Sequence, residues 1–446
     1  MNKLAIAALL ASACTASPTD LTTAAQAIAT VPHKKLAHSI AHIAFAADKP
    51  ALSKADCLAF GFPCYDPNEL QKAYGVDKLI AAGHDGTGET IVIIDSFGSP
   101  TLAEDLATFD AVFGLPDPPS LQVLAPLGAV PFDPADGDMV NWAFETNLDV
   151  QMAHAMAPGA SIVVLTSPVD ETEGVQGMPE FLALETYALD HHLGHIWSQS
   201  WAVTENTLFD APGRAVVAKF ERLYARARSQ HVTALAASGD LGATGFMLDF
   251  SVYPFPVVGY PASSPNVTAV GGSELSTDDD GNWADEVAWQ FSGGGVSQMF
   301  IEPLYQILLP RAAQKTLHGH RGVPDLSAVS SGNTPVVCVF TVPGVGQGFD
   351  LEAGTSVATP IWAGIVADLN QAAGRPIGFL NDKLYILSEL GLLRDVFHDV
   401  TVGNNSIIGF EGVPDVVGYN AGKGWDPVTG WGTPKLDDLA QLLGRL

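Results

Sequence analysis

Thr90-Ile91-Val92-Ile93-Ile94-Asp95 is a continuous apolar run that ends in a carboxylate, a pattern typical of buried parallel strands. Further apolar runs follow at 160–166, 195–201, 232–238 and 266–272. Helical patterns separate them, notably at 140–156, 181–191 and 212–229, and the segment 68–82 that precedes them also has a helical pattern. This alternation predicts an α/β fold with a doubly wound, mainly parallel sheet. Active sites of such sheets lie at the carboxyl ends of the strands.

The composition suits one large globular domain with a short N-terminal addition. Hydrophobic residues make up 47% of the 446-residue chain, which argues against disorder. The formal net charge is −28, so phosphate backbones and anionic membranes would repel the protein. We therefore expect no nucleic-acid partner and a monomer in solution. The charge fits either simple solubility or adaptation to acid, where protonation removes most of the repulsion.

The N-terminus has the pattern of an export signal. Met1-Asn2-Lys3 precedes an apolar stretch that ends in Ala11-Ser12-Ala13, which predicts a signal peptide over residues 1–16 and a secreted or extracytoplasmic protein. Cys14 makes a lipid anchor the alternative, although Ala11 stands where lipoprotein signals prefer Leu. We interpret residues 17–60 as a leader or linker and 61–446 as the main domain. No later stretch is apolar enough for a membrane span.

Three cysteines remain if Cys14 leaves with the signal. Cys57 and Cys64 are only seven positions apart and, in an exported chain, predict a small disulfide loop. Cys338 lies in an apolar run and is expected to be a buried free thiol. No Cys/His set has zinc-ligand spacing.

A serine motif precedes a strongly apolar run near residue 360. Gly354-Thr355-Ser356-Val357-Ala358-Thr359-Pro360 leads into the apolar residues 361–366, which predicts a tight turn with a serine at the start of a helix. Such a serine gains the field of the helix N-terminus and nearby amide donors. None of the twelve histidines has the His-Gly-Thr setting that usually accompanies it. The serine therefore needs another base, and that base decides the working pH.

Three carboxyl groups are candidates for chemistry. Glu145 and Asp149 are four residues apart in the apolar helical segment 140–156, so they share one helix face. A solvated polar stripe is the alternative, but the serine motif favours a function. Asp240 follows an apolar run and lies between Gly239 and Gly242. It is either a turn-forming residue or a carboxyl group that points into a site.

Taken together, the chain resembles the sedolisins, the serine-carboxyl peptidases that share the subtilisin fold. The likeness runs from about Tyr65 to the C-terminus and rests on an ordered set of segments, namely 144–149, 236–243, 255–265, 267–272, 292–295, 323–327 and 354–360. It implies a subtilisin-like three-layer architecture. It also implies Ser356 as nucleophile, Glu145 as general base, Asp149 as the partner that orients Glu145, and Asp240 as the oxyanion-hole donor.

These implied roles agree with the chemistry of carboxyl groups. A carboxylate has an unperturbed pKa of about 4, against about 6.5 for imidazole, so it stays a base in acid. Asp240 must be neutral to donate a hydrogen bond to an oxyanion. We therefore expect an acid-acting endopeptidase that cleaves protein or peptide substrates through an acyl-enzyme. The alternatives are a neutral Ser-His-Asp subtilase that uses Asp95 and an inactive, calcium-stabilised secreted binding protein.

A second candidate site lies near the C-terminus. Asp399 and Asp426 flank glycine-rich sequence, and hard cations prefer such carboxylate and carbonyl oxygens. Ordinary Asx turns are the alternative. The resemblance implies one structural Ca²⁺ ion, held by Asp399, Asp426 and the carbonyl groups of Val400, Gly422 and Gly424.

Overall fold

The computed structural model describes residues 38–44, 52, 54–393 and 396–436. Its helices, named α1 to α10 in chain order, are Lys54–Phe60, Pro67–Tyr74, Val76–Ala81, Leu102–Phe113, Gly137–Met156, Met178–Asp190, Ala211–Ser229, Arg311–Leu317, Thr355–Ala373 and Leu380–Glu389. Its strands, named β1 to β17, are His38–Ala44, Thr90–Ser96, Leu121–Leu124, Ser161–Ser167, Ile196–Gln199, Val203–Thr204, Thr233–Ala237, Gly259–Tyr260, Thr268–Thr277, Trp283–Ala288, Gly295–Ile301, His320–Val323, Leu326–Val329, Val336–Val342, Gly346–Ala353, Phe397–His398 and Thr433–Pro434.

The central sheet has the strand order β10-β9-β7-β5-β2-β4-β3, and β13 also pairs with β9. Its pairs are parallel except for β10 with β9. Each of the five apolar runs in the sequence overlaps one of its strands. The expectation of a mainly parallel, doubly wound sheet is therefore confirmed.

Alternate residues of β2 face different helical layers. Ile91 and Ile93 belong to the core that contains α5 and α9, whereas Val92 and Ile94 belong to the core that contains α6 and α7. Because side chains alternate across a strand, a run that is apolar at every position is buried on both faces. The result is the three-layer, helix-sheet-helix arrangement expected from the sequence.

The helix boundaries differ from the sequence pattern at one place near the start of the domain. The pattern indicates a single helix over 68–82, but the structure has α2 and α3 on either side of Gly75. Gly75 has φ 77°, a left-handed conformation that ends a helix and that glycine adopts without steric cost.

A smaller antiparallel sheet, β1-β15-β14, adjoins the helices. Strand β1 comes from the segment interpreted as a leader, and its His38 pairs with Ala353 at the end of β15. The Cys57–Cys64 disulfide is present and Cys338 is a buried free thiol, as expected. The signal sequence and Cys14 lie outside the described residues. Within the described part, no helix is long and apolar enough to cross a membrane.

Candidate active site

The serine motif forms the junction between β15 and α9. Gly354 has φ 127° and ψ 163°, a conformation that is essentially restricted to glycine, and its N–H donates to the Ser330 carbonyl at 2.8 Å. The chain therefore turns sharply there, and Ser356 becomes the second residue of α9. Ser356 is fully buried, and no described residue forms a hydrogen bond with its hydroxyl. The hydroxyl lies at the N-terminus of the helix.

Asp240 is attached directly to the serine motif. One of its carboxyl oxygens, Oδ1, accepts hydrogen bonds from the backbone N–H and the hydroxyl of Thr355, both at 2.8 Å. The preceding Gly239 donates its N–H to the same hydroxyl at 3.1 Å. The loop after β7 therefore places this carboxyl group one residue from Ser356.

The environment of Asp240 favours its neutral form. Burial raises the pKa of Asp240 to about 8, although the hydrogen bonds from Thr355 act in the opposite direction. A carboxyl group with this pKa keeps its proton throughout the acid range. It can then donate an O–H hydrogen bond to a negatively charged oxygen next to Ser356.

Glu145 and Asp149 lie one turn apart on α5. Asp149 is completely buried and accepts a 2.8 Å hydrogen bond from the hydroxyl of Ser200. Burial raises the pKa of Asp149 well above its ordinary value, and the negative charges of Asp95 and Glu145 raise it further. Asp149 is therefore harder to ionise than an exposed aspartate. Glu145 is the more accessible of the two carboxyl groups.

Asp95 ends β2 and is also completely buried. Burial raises its pKa to about 7, and its charge acts on Asp149. In the described part of the chain, the ion pairs that include histidine are His42–Asp350 and His154–Asp110. Neither contains Asp95, so this carboxyl group belongs with the acidic groups of α5 and not with an imidazole.

Two polar residues of this site were not predicted from the sequence. Ser200 follows β5 and binds Asp149, and Thr355 binds Asp240. Thr355 could have been suspected because it adjoins Ser356. The contact of Ser200 with Asp149 gave no such signal, because the two residues are 51 positions apart and only the tertiary fold brings them together.

The two acidic residues proposed for calcium meet the same loop. The N–H of Gly424 donates to both carboxyl oxygens of Asp399, and the N–H of Gly422 donates to Oδ2 of Asp426. Burial raises the pKa of both carboxyl groups, that of Asp426 to about 7. No group of three or more His, Cys, Asp or Glu side chains suited to a metal occurs among the described residues. Two carboxyl groups and backbone carbonyl groups are donors that suit calcium rather than zinc.

Comparisons with known proteins show the family of the chain. The profile of the subtilase family matches residues 142–382. Kumamolisin from Bacillus sp. (strain MN-32) is 34% identical over 85% of this chain, and tripeptidyl-peptidase 1 from Homo sapiens is 32% identical over 67% of it. The chain spans 63% and 51% of the lengths of these two proteins.

A solved structure of a serine-carboxyl proteinase is also similar to this chain. Pseudomonas sedolisin, described as a serine-carboxyl proteinase, superposes with a TM-score of 0.69 at 26% identity, over 85% of this chain and 98% of that structure. The family match covers most of α5, including Glu145 and Asp149, together with the Asp240 loop and the serine motif. The chain therefore belongs to the subtilase family, and its relatives confirm its resemblance to the sedolisins.

Proposed function

We propose that this protein is an exported, acid-acting serine-carboxyl endopeptidase. The observation that carries the proposal is the contact between Asp240 and Thr355, which fixes a proton-holding carboxyl group beside a buried serine at a helix N-terminus. The charge of Glu145 raises the pKa of Asp149 on α5, and these two carboxyl groups are the second part of the proposed site. Similarity to kumamolisin and sedolisin supports the same assignment.

In the proposed mechanism, the Oγ atom of Ser356 attacks the scissile carbonyl carbon while Glu145 takes the hydroxyl proton. The tetrahedral intermediate carries its negative charge on the former carbonyl oxygen, to which neutral Asp240 donates a hydrogen bond. Glu145 then gives the proton to the leaving amine, and the C–N bond breaks. Water hydrolyses the acyl-enzyme by the same steps in reverse.

Asp149 has a positioning role in this scheme. Because its pKa is raised, Asp149 stays protonated and can donate a hydrogen bond to ionised Glu145. Ser200 in turn donates to Oδ1 of Asp149 and limits its rotation. The orientation of the base therefore depends on a chain of side chains that runs from β5 to α5.

The pH range follows from the two types of carboxyl group. The base must be ionised, which a carboxylate achieves at a pH where imidazole is still protonated. Asp240 must be neutral, which fails as the pH approaches its pKa of about 8. Three interacting carboxyl groups titrate as a coupled set. We therefore expect the pH dependence of activity to reflect the whole set and not the pKa of one residue.

Two alternatives have less support. A neutral subtilase would need a histidine beside Asp95, and in the described residues the histidine ion pairs lie elsewhere. An inactive binding protein would not require a proton-holding carboxyl group against the serine motif. We therefore favour catalysis over binding alone.

Export and calcium are parts of the same proposal. The signal pattern in residues 1–16 and the Cys57–Cys64 disulfide both suit an oxidising compartment outside the cytoplasm. Calcium would be held by Asp399, Asp426 and the carbonyl groups of the neighbouring residues. Its chemistry there would be structural, because it would neutralise the carboxylates of exposed Asp399 and buried Asp426 and join the 399–400 and 422–426 segments.

The proposal is tested by digestion of an unfolded protein between about pH 2 and 8 with wild type, Ser356→Ala and Glu145→Ala. We expect activity in acid for wild type alone. A neutral optimum, with full activity in Glu145→Ala, would support the Ser-His-Asp alternative. Absence of cleavage by the folded, mature wild type at every pH would support the binding protein.

A further inference from the structure

Strand β1 belongs to the same sheet as the strand that leads into the serine motif. The order of that sheet is β1-β15-β14, so β15 is its central strand. Strands β1 and β15 pair antiparallel, from His38 opposite Ala353 to Ala44 opposite Gly348. Ala353 is followed directly by Gly354, the residue at which the chain turns into α9. The backbone of β1 therefore lies beside the last residue before the serine motif.

Side chains on both faces of β1 contact the rest of the protein. His42 is 7% exposed, and its Nδ1 atom lies 3.9 Å from Oδ1 of Asp350, the residue opposite it on β15. Its neighbours Ala41 and Ile43 pack against the core that contains α5 and α9. Because side chains alternate across a strand, these three residues cover both of its faces. Strand β1 is therefore packed as a structural strand of the domain.

The same sheet is attached to the helix of the proposed base. The side-chain amide of Gln151 on α5 donates to the Val339 carbonyl at 2.7 Å and accepts from the Val339 N–H at 2.8 Å. The ring centroid of Phe144, the residue before Glu145, lies 3.9 Å from that of Phe340 on β14. Strand β14 thus contacts the helix that carries the base, while β15 leads into the nucleophile.

Loss of β1 would make β15 an edge strand. The six residues from Gly348 to Ala353 would lose their pairing with β1, and Asp350 would lose the contact with His42. Unpaired backbone groups of an edge strand are left to solvent. Catalytic groups must stay within about 0.5 Å of their productive positions, so a less restrained β15 is expected to slow the attack of the serine.

We propose that β1 is a permanent part of the catalytic domain and positions the nucleophile through β15, with His42 as a positioning residue. Maturation then removes only residues before His38. This inference rests on the proposed peptidase function and deepens it. The opposite case is a strand that is cut away to activate the enzyme, and it predicts an active chain that begins after Ala44.

The first test is the mass of the denatured protein after incubation near pH 4 until its peptidase activity is constant. We expect the active chain to contain residues 38–44. A separate fragment with this sequence that stays bound to the active protein would also support the inference, because β1 would still be in place. An active chain that begins after Ala44, without such a fragment, would overturn it.

The second test measures kcat and KM on one peptide substrate at about pH 5, per mole of folded enzyme. His42→Asp places a second carboxyl group opposite Asp350, and like charges in that position weaken strand pairing. His42→Gln keeps a polar side chain without that charge. The control, His191→Asp, makes the same change at an exposed position just after α6. If His42→Asp does not fold, His42→Ala takes its place.

We expect the test variant to lower kcat about tenfold with KM nearly unchanged. His42→Gln should recover most of that loss, and the control should behave as wild type. A folded test variant with wild-type kcat, or one with a change in KM alone, would overturn the positioning role. Failure of folded wild type to cleave any peptide between pH 2 and 8 would instead overturn the proposed function, so the two kinds of failure are distinguishable.

Discussion

Replacement of Asp240 by alanine removes one proposed function and two observed hydrogen bonds of the same carboxyl group. The first is the proposed oxyanion donor, whose loss costs about a hundredfold to a thousandfold in kcat, or roughly 2.7–4 kcal/mol. The second is the acceptor for the N–H and hydroxyl of Thr355, at 2.8 Å each. Each of these bonds contributes about 1 kcal/mol to stability, so Asp240→Ala should also lower the melting temperature.

Asp240→Asn separates the two effects. The amide oxygen can still accept from Thr355, and the NH₂ group is a donor at every pH. We expect Asp240→Asn to keep the wild-type melting temperature within a few degrees near pH 4 and to retain much more activity than Asp240→Ala. Its activity should also no longer be lost as the pH approaches 8, because the asparagine cannot ionise.

The assay is kcat/KM on one peptide substrate at about pH 4, 6 and 8 for the three proteins, with melting temperatures at each pH. Folded Asp240→Ala with more than a third of wild-type kcat would refute the oxyanion role. An alkaline activity loss in Asp240→Asn identical to that of wild type would refute the claim that ionisation of Asp240 limits activity.

Four further results are expected. Ser200→Ala should lower kcat about tenfold at unchanged KM, because the hydroxyl that orients Asp149 is lost; a change in KM alone would contradict this role. Cys57→Ser should lower the free energy of unfolding by about 2–3 kcal/mol, as loop entropy predicts for the short loop closed with Cys64, and an unchanged urea midpoint would exclude it. The buried site carboxyl groups bind protons more tightly when folded, so wild-type stability should fall as the pH rises from about 4 to 8; urea unfolding at both pH values checks the sign. Calcium chelation should lower the melting temperature of wild type but not of Asp426→Asn, and an equal shift in both would count against the site.

The central sheet could be predicted from the sequence because its strands are buried on both faces. Residues 91–94 are apolar at every position, and a strand that is covered on both faces is the simplest explanation of that pattern. Glu145 and Asp149 could be placed together because the spacing of a helix is fixed. Asp240 could be placed at a strand end, but its contact with Thr355 could not be predicted from spacing.

Two other features could not be predicted because they depend on contacts between residues far apart in the sequence. Strand β1 lies in a segment without clear periodicity, and its pairing with β15 across about 310 positions leaves no local signal. Ser200 meets Asp149 only through the tertiary fold, because the two residues are 51 positions apart. The break at Gly75 was missed because the apolar spacing of the helix continues through it.

The central claim is that the carboxylate of Glu145 is the general base for Ser356. Its most direct test is the ratio of kcat/KM between wild type and Glu145→Gln at about pH 4, with folding verified for both. Glutamine keeps the size of the side chain but cannot accept the serine proton, so we predict a loss of a hundredfold to ten-thousandfold. Glu145→Gln with activity within a few-fold of wild type would contradict the assignment of Glu145 as the base.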